Sequence, residues 1–315
     1  MAVYTSVKKS EIETYLMDYD IGKLVFFEGI VDGIENTNFK IVTQKGEYIL
    51  TLFEKRVDPN DLPFFMNLQK HLSNNGFNCP LPIENTDKVV INSLCNKKSI
   101  IISFLRGEKI NKPNKNHCFE LGKMISNFQI ITKTFKETRK NSLNVEKWIS
   151  IYKKCLKAKN NDYMDLYNGI DNELVYLEKK WPKNLPSGII HADIFQDNVF
   201  FDKENFSGLI DFYFSCNDFY AYELAITTNA WCFDSKNNFN INNFYSILDG
   251  YKINSVFSED EKNHFNTLLR GAAMRILITR LHDQIFHPDG AMVVPKDPIE
   301  YFKILKWHQN NSVFN

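Results

Sequence analysis

Along the first hundred residues, apolar side chains come in short alternating bursts: LVFFEGIV (24–31), NFKIVT (38–43) and GEYILTLF (46–53). Gly, Asn and charged residues separate them. A period of two with turn chemistry between the bursts predicts half-buried strands joined by tight connections. The period then lengthens. Leu62, Phe65, Leu68 and Leu72 recur at helical spacing up to Gly76, and Asp58-Pro59 predicts the helix start as an N-cap followed by proline. CPLPI (79–83) breaks that helix, and VVINSL (89–94) with SIIISFL (99–105) predicts a second hairpin ending at Arg106-Gly107. Residues 1–106 therefore read as a β-rich lobe carrying one helix.

From residue 107 to 315 the helical period dominates. Cys118, Leu121, Ile125 and Phe128 form one stripe, and segments near 143–158 and 171–181 form others. Ser258 with Glu261 three residues later predicts a capping box opening a long helix through FNTLLRGAAMRILITRLHDQIF. One stretch is the exception, GIIHADIFQDNVFFDKENFSGLIDFYFS (188–215), whose runs GII, NVFF and GLID are each too short for a helix. The fold class predicted is α+β, a β-rich part followed by a mostly helical one, with no internal repeat.

Composition narrows the function. Lys+Arg and Asp+Glu both number 38, so the formal net charge is zero and no long-range field gathers nucleic acid or anionic lipid. The opening MAVYTSVKKSEIETYL has no apolar signal core, and the longest apolar runs are too short to span a bilayer. The expectation is a cytoplasmic protein with no nucleic-acid or membrane partner. Six cysteines without a C-x-x-C spacing read as reduced core thiols, and seven scattered histidines lack any H-E-x-x-H pair, so no structural metal is expected.

The exceptional stretch carries the chemistry. His191-Ala-Asp193-Ile-Phe-Gln-Asp-Asn198 has the spacing H-x-D-x-x-x-x-N of a kinase catalytic loop, and Asp211-Phe212-Tyr213 follows where a metal-binding aspartate belongs. Phosphoryl transfer needs a hydroxyl aligned with the γ-phosphate and charge neutralised by Mg²⁺. One carboxylate must face the hydroxyl and two oxygens must face the metal. Asp193, Asn198 and Asp211 are of the right types, and apolar Val199, Phe200, Leu209 and Ile210 supply anchoring strands. His191 reads as structural within the loop.

With these motifs the sequence resembles the aminoglycoside-phosphotransferase-like kinases of the protein-kinase-like superfamily, and most closely their homoserine kinases. YDIGKLVFFEGIVDGIENTNF, EYILTLFEKRVDPNDLPFF, GIIHADIFQDNVFF, GLIDFYFSCNDFYAYELAITTNAWCFD, RGAAMRILITRLHD and KDPIEY carry the resemblance, from about residue 19 to 301. It implies a two-lobed kinase-like fold, an N-terminal nucleotide-binding lobe (1–106) and a C-terminal helical lobe (107–315), with a hinge near Phe104 to Gly107. It implies ATP and Mg²⁺, Asp193 as catalytic base, Asn198 and Asp211 as metal ligands, and residues 29–38 as the turn over the phosphates. Gly33, Asn36, Thr37, Asn38, Thr51 and Lys55 are then the nucleotide-side candidates.

The sequence departs from that pattern at one place. Many superfamily members carry a phosphate-binding Lys or Arg on the third strand paired with a helix glutamate, and here those positions fall near Thr51 and Phe65. Losing both is coherent, because an unpaired buried charge is costly. Lys55 or Arg56 is left as the basic group able to reach phosphate.

A homoserine site needs an acid for the ammonium and an arginine for the carboxylate. Arg275 and Arg280 on the long helix, with Arg270 one turn earlier, are the carboxylate candidates, and Asp32, Asp218 and Glu223 the ammonium candidates. Tyr213, Phe214, Phe219, Tyr220, Tyr222 and Trp231 are the aromatic residues from which a choline cage would be drawn. Residue chemistry alone leaves choline open. The resemblance favours homoserine, with Asp32, Tyr213, Arg275 and Arg280 on the substrate side. A kinase of another small alcohol, and a catalytically weak nucleotide-binding regulator, are the alternatives.

Overall fold

The structure, a computed structural model, describes residues 5–30, 36–54, 57–158, 164–287 and 294–314. The chain divides into two compact units, Met1–Gly107 with Gly208–Tyr213, and Glu108–Ser207 with Phe214–Asn315.

The first unit is built on alternation. Helix α1 (Lys9–Leu16) precedes strands β1 (Leu24–Gly29), β2 (Thr37–Thr43) and β3 (Gly46–Leu52), then helix α2 (Leu62–Asn74) and strands β4 (Asn92–Leu94) and β5 (Lys97–Ser103). The five strands form one antiparallel sheet in the order β1-β2-β3-β5-β4. Because side chains on a strand point to alternate faces, Phe39 and Ile41 of β2 and Leu50 and Leu52 of β3 share one face and pack with Ile12, Tyr15 and Leu16 of α1. Asn38 and Thr51, directly opposite each other in the register, project from the other face.

Helix α2 begins later than Asp58-Pro59 suggests. Asp58 accepts the backbone N–H of Asn60 at 2.9 Å, and its carbonyl accepts that of Asp61 at 3.0 Å. This local turn competes with helix entry. The N-cap is Asp61, and the proline of the first turn is Pro63.

The second unit opens with β6 (Glu108–Lys109) and helices α3 (Lys115–Thr132), α4 (Val145–Lys157) and α5 (Met164–Lys180). Strands β7 (Ser187–Ile190), β8 (Val199–Asp202), β9 (Asn205–Leu209) and β10 (Cys216–Phe219) follow. Helices α6 (Tyr220–Trp231), α7 (Ile241–Tyr251), α8 (Glu259–Ile285) and α9 (Pro298–Asn310) complete the chain. The short strands make two small sheets, β6-β8-β9 and β7-β10. Helix α8 has the expected capping box: Ser258 Oγ accepts the Glu261 N–H at 3.3 Å, and Glu261 Oε2 accepts the Ser258 N–H at 2.8 Å. At 27 residues it runs about 40 Å, and it packs against α4, α5, α6 and α9. Among the described residues no helix is long and apolar enough to cross a membrane.

Candidate active site

Residues 191–198 leave buried β7 at Ile190 and return into β8 through a short 3₁₀ turn, Gln196–Asn198. Buried backbone groups in such a loop need partners, and helices far along the chain supply them. Glu223, in the first turn of α6, accepts the N–H groups of His191 and Ala192, the latter at 3.0 Å. Trp231 at the end of α6 donates its indole N–H to Ile194 O at 2.9 Å. Arg275 of α8 donates through Nη1 to Ala192 O. Ala192 itself has a φ of 62°, the left-handed region that costs a residue with a Cβ about 1–2 kcal/mol.

This frame presents Asp193. Its Oδ2 accepts from Asn198 Nδ2 at 2.9 Å, and its backbone carbonyl accepts from the same nitrogen at 2.9 Å. Its Oδ1 lies 3.9 Å from Arg275 Nη2. His191 is fully buried. Burial pushes the Glu223 carboxyl up to about 8, while the backbone N–H groups of His191 and Ala192 pull the other way.

A pocket of about 240 Å³ lies beside the loop, its wall formed by Phe195, Gln196 and Asp197 together with residues of α6, α8 and α9. It mixes charges of both signs. Arg280 pairs with Glu300 at 2.7 Å and donates to Asp297 O at 3.0 Å, Lys296 pairs with Asp197 at 3.2 Å, and Asp234 adds a further carboxylate. Tyr301 lines the same pocket. Burial raises its phenol well above the ordinary range, against the lowering influence of the Arg280 charge.

The substrate-side candidates therefore separate. Arg280 lines the pocket. Arg275 is 3 % exposed, with its fork directed to Ala192 O and towards Asp193. Asp218 accepts from Asn141 Nδ2 at 2.6 Å, and Glu223 is engaged by the loop. Tyr213 belongs to the first unit, where its ring meets those of Phe53 and Phe65 edge-on at 5.3 and 5.6 Å. Asp32 lies outside the described residues, as do Gly33, Lys55 and Arg56.

On the nucleotide side, Thr51 donates to Asn38 Oδ1 at 2.7 Å across β2 and β3. Phe65 is fully buried among aromatic rings, so neither Thr51 nor Phe65 contributes to a cation–carboxylate pair. Asn36 accepts the Glu54 N–H at 3.3 Å. Thr37 turns to the opposite face from Asn38 and donates to Glu54 Oε1 at 2.7 Å, a carboxylate that also binds Lys97. Asp211 follows β9 with a φ of 66° and belongs to the first unit. Sequence reading missed the Lys97–Glu54 pair, the loop-holding role of Trp231 and most of the pocket wall. Only spatial proximity marks these residues, since they are scattered along the chain.

The model of the phosphotransferase enzyme family matches residues 27–251, and the chain belongs to that family. It is 45% identical over 309 residues to a homoserine kinase of Parvibaculum lavamentivorans, covering 98% of this chain and 96% of the relative. It is 44% identical, with the same coverage, to a homoserine kinase of Allorhizobium ampelinum. Within the phosphotransferases the chain thus belongs with the homoserine kinases. Among solved structures, amicoumacin kinase hAmiN in complex with AMP-PNP, Ca²⁺ and Ami aligns over 98% of this chain and 95% of its own, with a TM-score of 0.75 and 12% identity. The fold is accordingly the two-lobed aminoglycoside-phosphotransferase-like, protein-kinase-like fold.

Proposed function

We propose that the chain transfers the γ-phosphoryl group of ATP to the side-chain hydroxyl of L-homoserine, giving O-phosphohomoserine and ADP in threonine biosynthesis, a cytoplasmic reaction. The full-length likeness to homoserine kinases carries this reading, and the Asp193 loop beside a small pocket of mixed charge supports it. Asp193 accepts the substrate hydroxyl proton as the new P–O bond forms and the bond to the ADP oxygen breaks.

Asn198 and Asp211 fit Mg²⁺ in their chemistry, because a hard cation takes one or two protein oxygens and completes its shell with phosphates and water. The Nδ2 of Asn198 is committed to Asp193, which leaves Oδ1 for the ion. Bound there, Mg²⁺ neutralises phosphate charge. The pairing of Asn198 with Asp211 rests on the sequence motif. Asn36, Asn38 and Thr51 are the nucleotide-side residues. In the pocket, Arg280 and Lys296 suit the homoserine carboxylate, and Asp234 and Glu300 its ammonium.

Coupled ADP release across homoserine, homoserinol, choline and ethanolamine tests the proposal. Homoserine is expected to lead in kcat/KM by about 10³-fold or more, since a site built to pair a charged group rejects a substrate lacking it. Equal turnover of homoserinol or choline would refute the substrate, and no ADP release with any alcohol would refute the phosphotransfer.

A further inference from the structure

Arg275, one of the arginines that sequence chemistry offers for the substrate carboxylate, is buried, and its fork faces the loop that carries Asp193. Nη1 donates to the carbonyl of Ala192, Nη2 lies 3.9 Å from Asp193 Oδ1, and the guanidinium stands over the ring of Phe214 at 5.2 Å from its centre. The other peptide group of Ala192, its N–H, is taken by Glu223. Ala192 is thus held from both sides in a conformation that an alanine leaves when released. On the far edge of Asp193, Oδ2 is fixed by Asn198. The two carboxylate oxygens are steered by different groups, one amide and one guanidinium.

We propose that Arg275 is a positioning residue for phosphoryl transfer: it locks the strained Ala192 peptide and aims the Asp193 carboxylate at the acceptor hydroxyl, and it does not bind substrate. The proposal rests on the reading of Asp193 as the base. It uses a property specific to arginine, a rigid planar fork that donates to the Ala192 carbonyl through one nitrogen while holding the charge of the other beside Asp193. Misplacing a reacting group by about 1 Å costs about 10²-fold in rate, so the effect belongs in kcat.

The test compares Arg275→Lys and the neutral, similarly long Arg275→Met, each in the wild-type and Asp193→Asn backgrounds, with melting temperature and ADP affinity confirming a folded nucleotide site. Both substitutions are expected to lower kcat about 100-fold with the KM for homoserine and ATP changed less than about threefold. Lysine should not rescue, because one ammonium cannot serve both groups. In the Asp193→Asn background the same substitutions should cost less than about threefold, because a residue acting through Asp193 has nothing left to position.

A homoserine KM raised tenfold at unchanged kcat would restore Arg275 to the substrate carboxylate and overturn the proposal. So would an equal loss in both backgrounds, or failure of both variants to fold, which would make the residue purely structural. A different failure is separable: if Asp193→Asn alone keeps more than a tenth of wild-type kcat, the assignment of the base falls first, and this inference with it.

Discussion

At the scale of single residues, the proposed metal ligands differ in charge, and that difference should be measurable. Asn198→Ala removes a neutral oxygen and Asp211→Ala a charged one, so both should raise the Mg²⁺ concentration for half-maximal rate, Asp211→Ala the more. Unchanged Mg²⁺ titrations in both would remove these residues from the metal site. His308 offers a prediction about stability. Asn229 donates its Nδ2 to Leu269 O at 2.9 Å, so its Oδ1 is the acceptor facing His308 Nε2 at 2.7 Å, and the imidazole is neutral with its proton on Nε2. Burial, and then the Arg270 charge, push the His308 pKa down to about 3. A histidine whose folded pKa lies below its unfolded value of about 6.5 supports the fold fully above that value and less as pH falls toward 3. Between pH 7.5 and pH 5 this amounts to about 2 kcal/mol. His308→Gln should flatten the fall in urea midpoint over that interval by a similar amount, and an unaltered slope would show that the imidazole charges freely. The contact between Asp193 and Asn198 was legible in the sequence because a short motif holds them at fixed spacing. The surroundings of Arg275 were not, because nothing in a helical period tells whether an arginine faces a pocket or a buried carbonyl.

At the scale of elements, α3 and α7 come into close backbone contact at two glycines. A Cβ on Gly122 of α3 would lie 2.0 Å from Ile247 O, and one on Gly250 of α7 would lie 2.0 Å from Phe119 O. Both obstacles are backbone, so the helices must separate to admit a methyl. Gly→Ala gains up to about 1 kcal/mol in helix propensity, but overpacking costs about 1–3 kcal/mol, and a backbone obstacle places it at the upper end of that range. Gly122→Ala and Gly250→Ala should each lower the unfolding midpoint clearly, and an unchanged midpoint would mean that the crossing yields to admit a methyl. The strands and the capped start of α8 were readable because local rules set them. The start of α2 was displaced because Asp58 spends its carboxylate on a turn. Thr37 was grouped with Asn38 and Thr51 by closeness in sequence and register, yet strand alternation sends it to the face of Phe39 and Ile41. The signal for that was present in the alternation of TNFKIVT, residues 37–43.

At the scale of the whole molecule, the division into a sheet-rich and a helical unit follows the change of period near Gly107, but Gly208–Tyr213 returns to the first unit from deep in the second half of the chain. No local pattern marks such a return, since it depends on where a strand end is received: Leu209 donates its N–H to Asn78 O at 3.0 Å. The Asp193 loop shows the same dependence on distance along the chain. Its partners Glu223, Trp231 and Arg275 stand 32, 37 and 83 residues from the groups they bind. Contacts that close such spans form slowly during folding, after helices that need only neighbouring residues. Refolding from denaturant should therefore restore helical circular dichroism first and ADP-releasing turnover later, with Trp231 fluorescence following the slower phase. Coincident recovery of all three would mean the loop assembles along with the helices. A chain made from its N-terminus would then hold its whole H-x-D-x-x-x-x-N motif for some 80 residues of synthesis before Arg275 exists to set it, and would be born inactive.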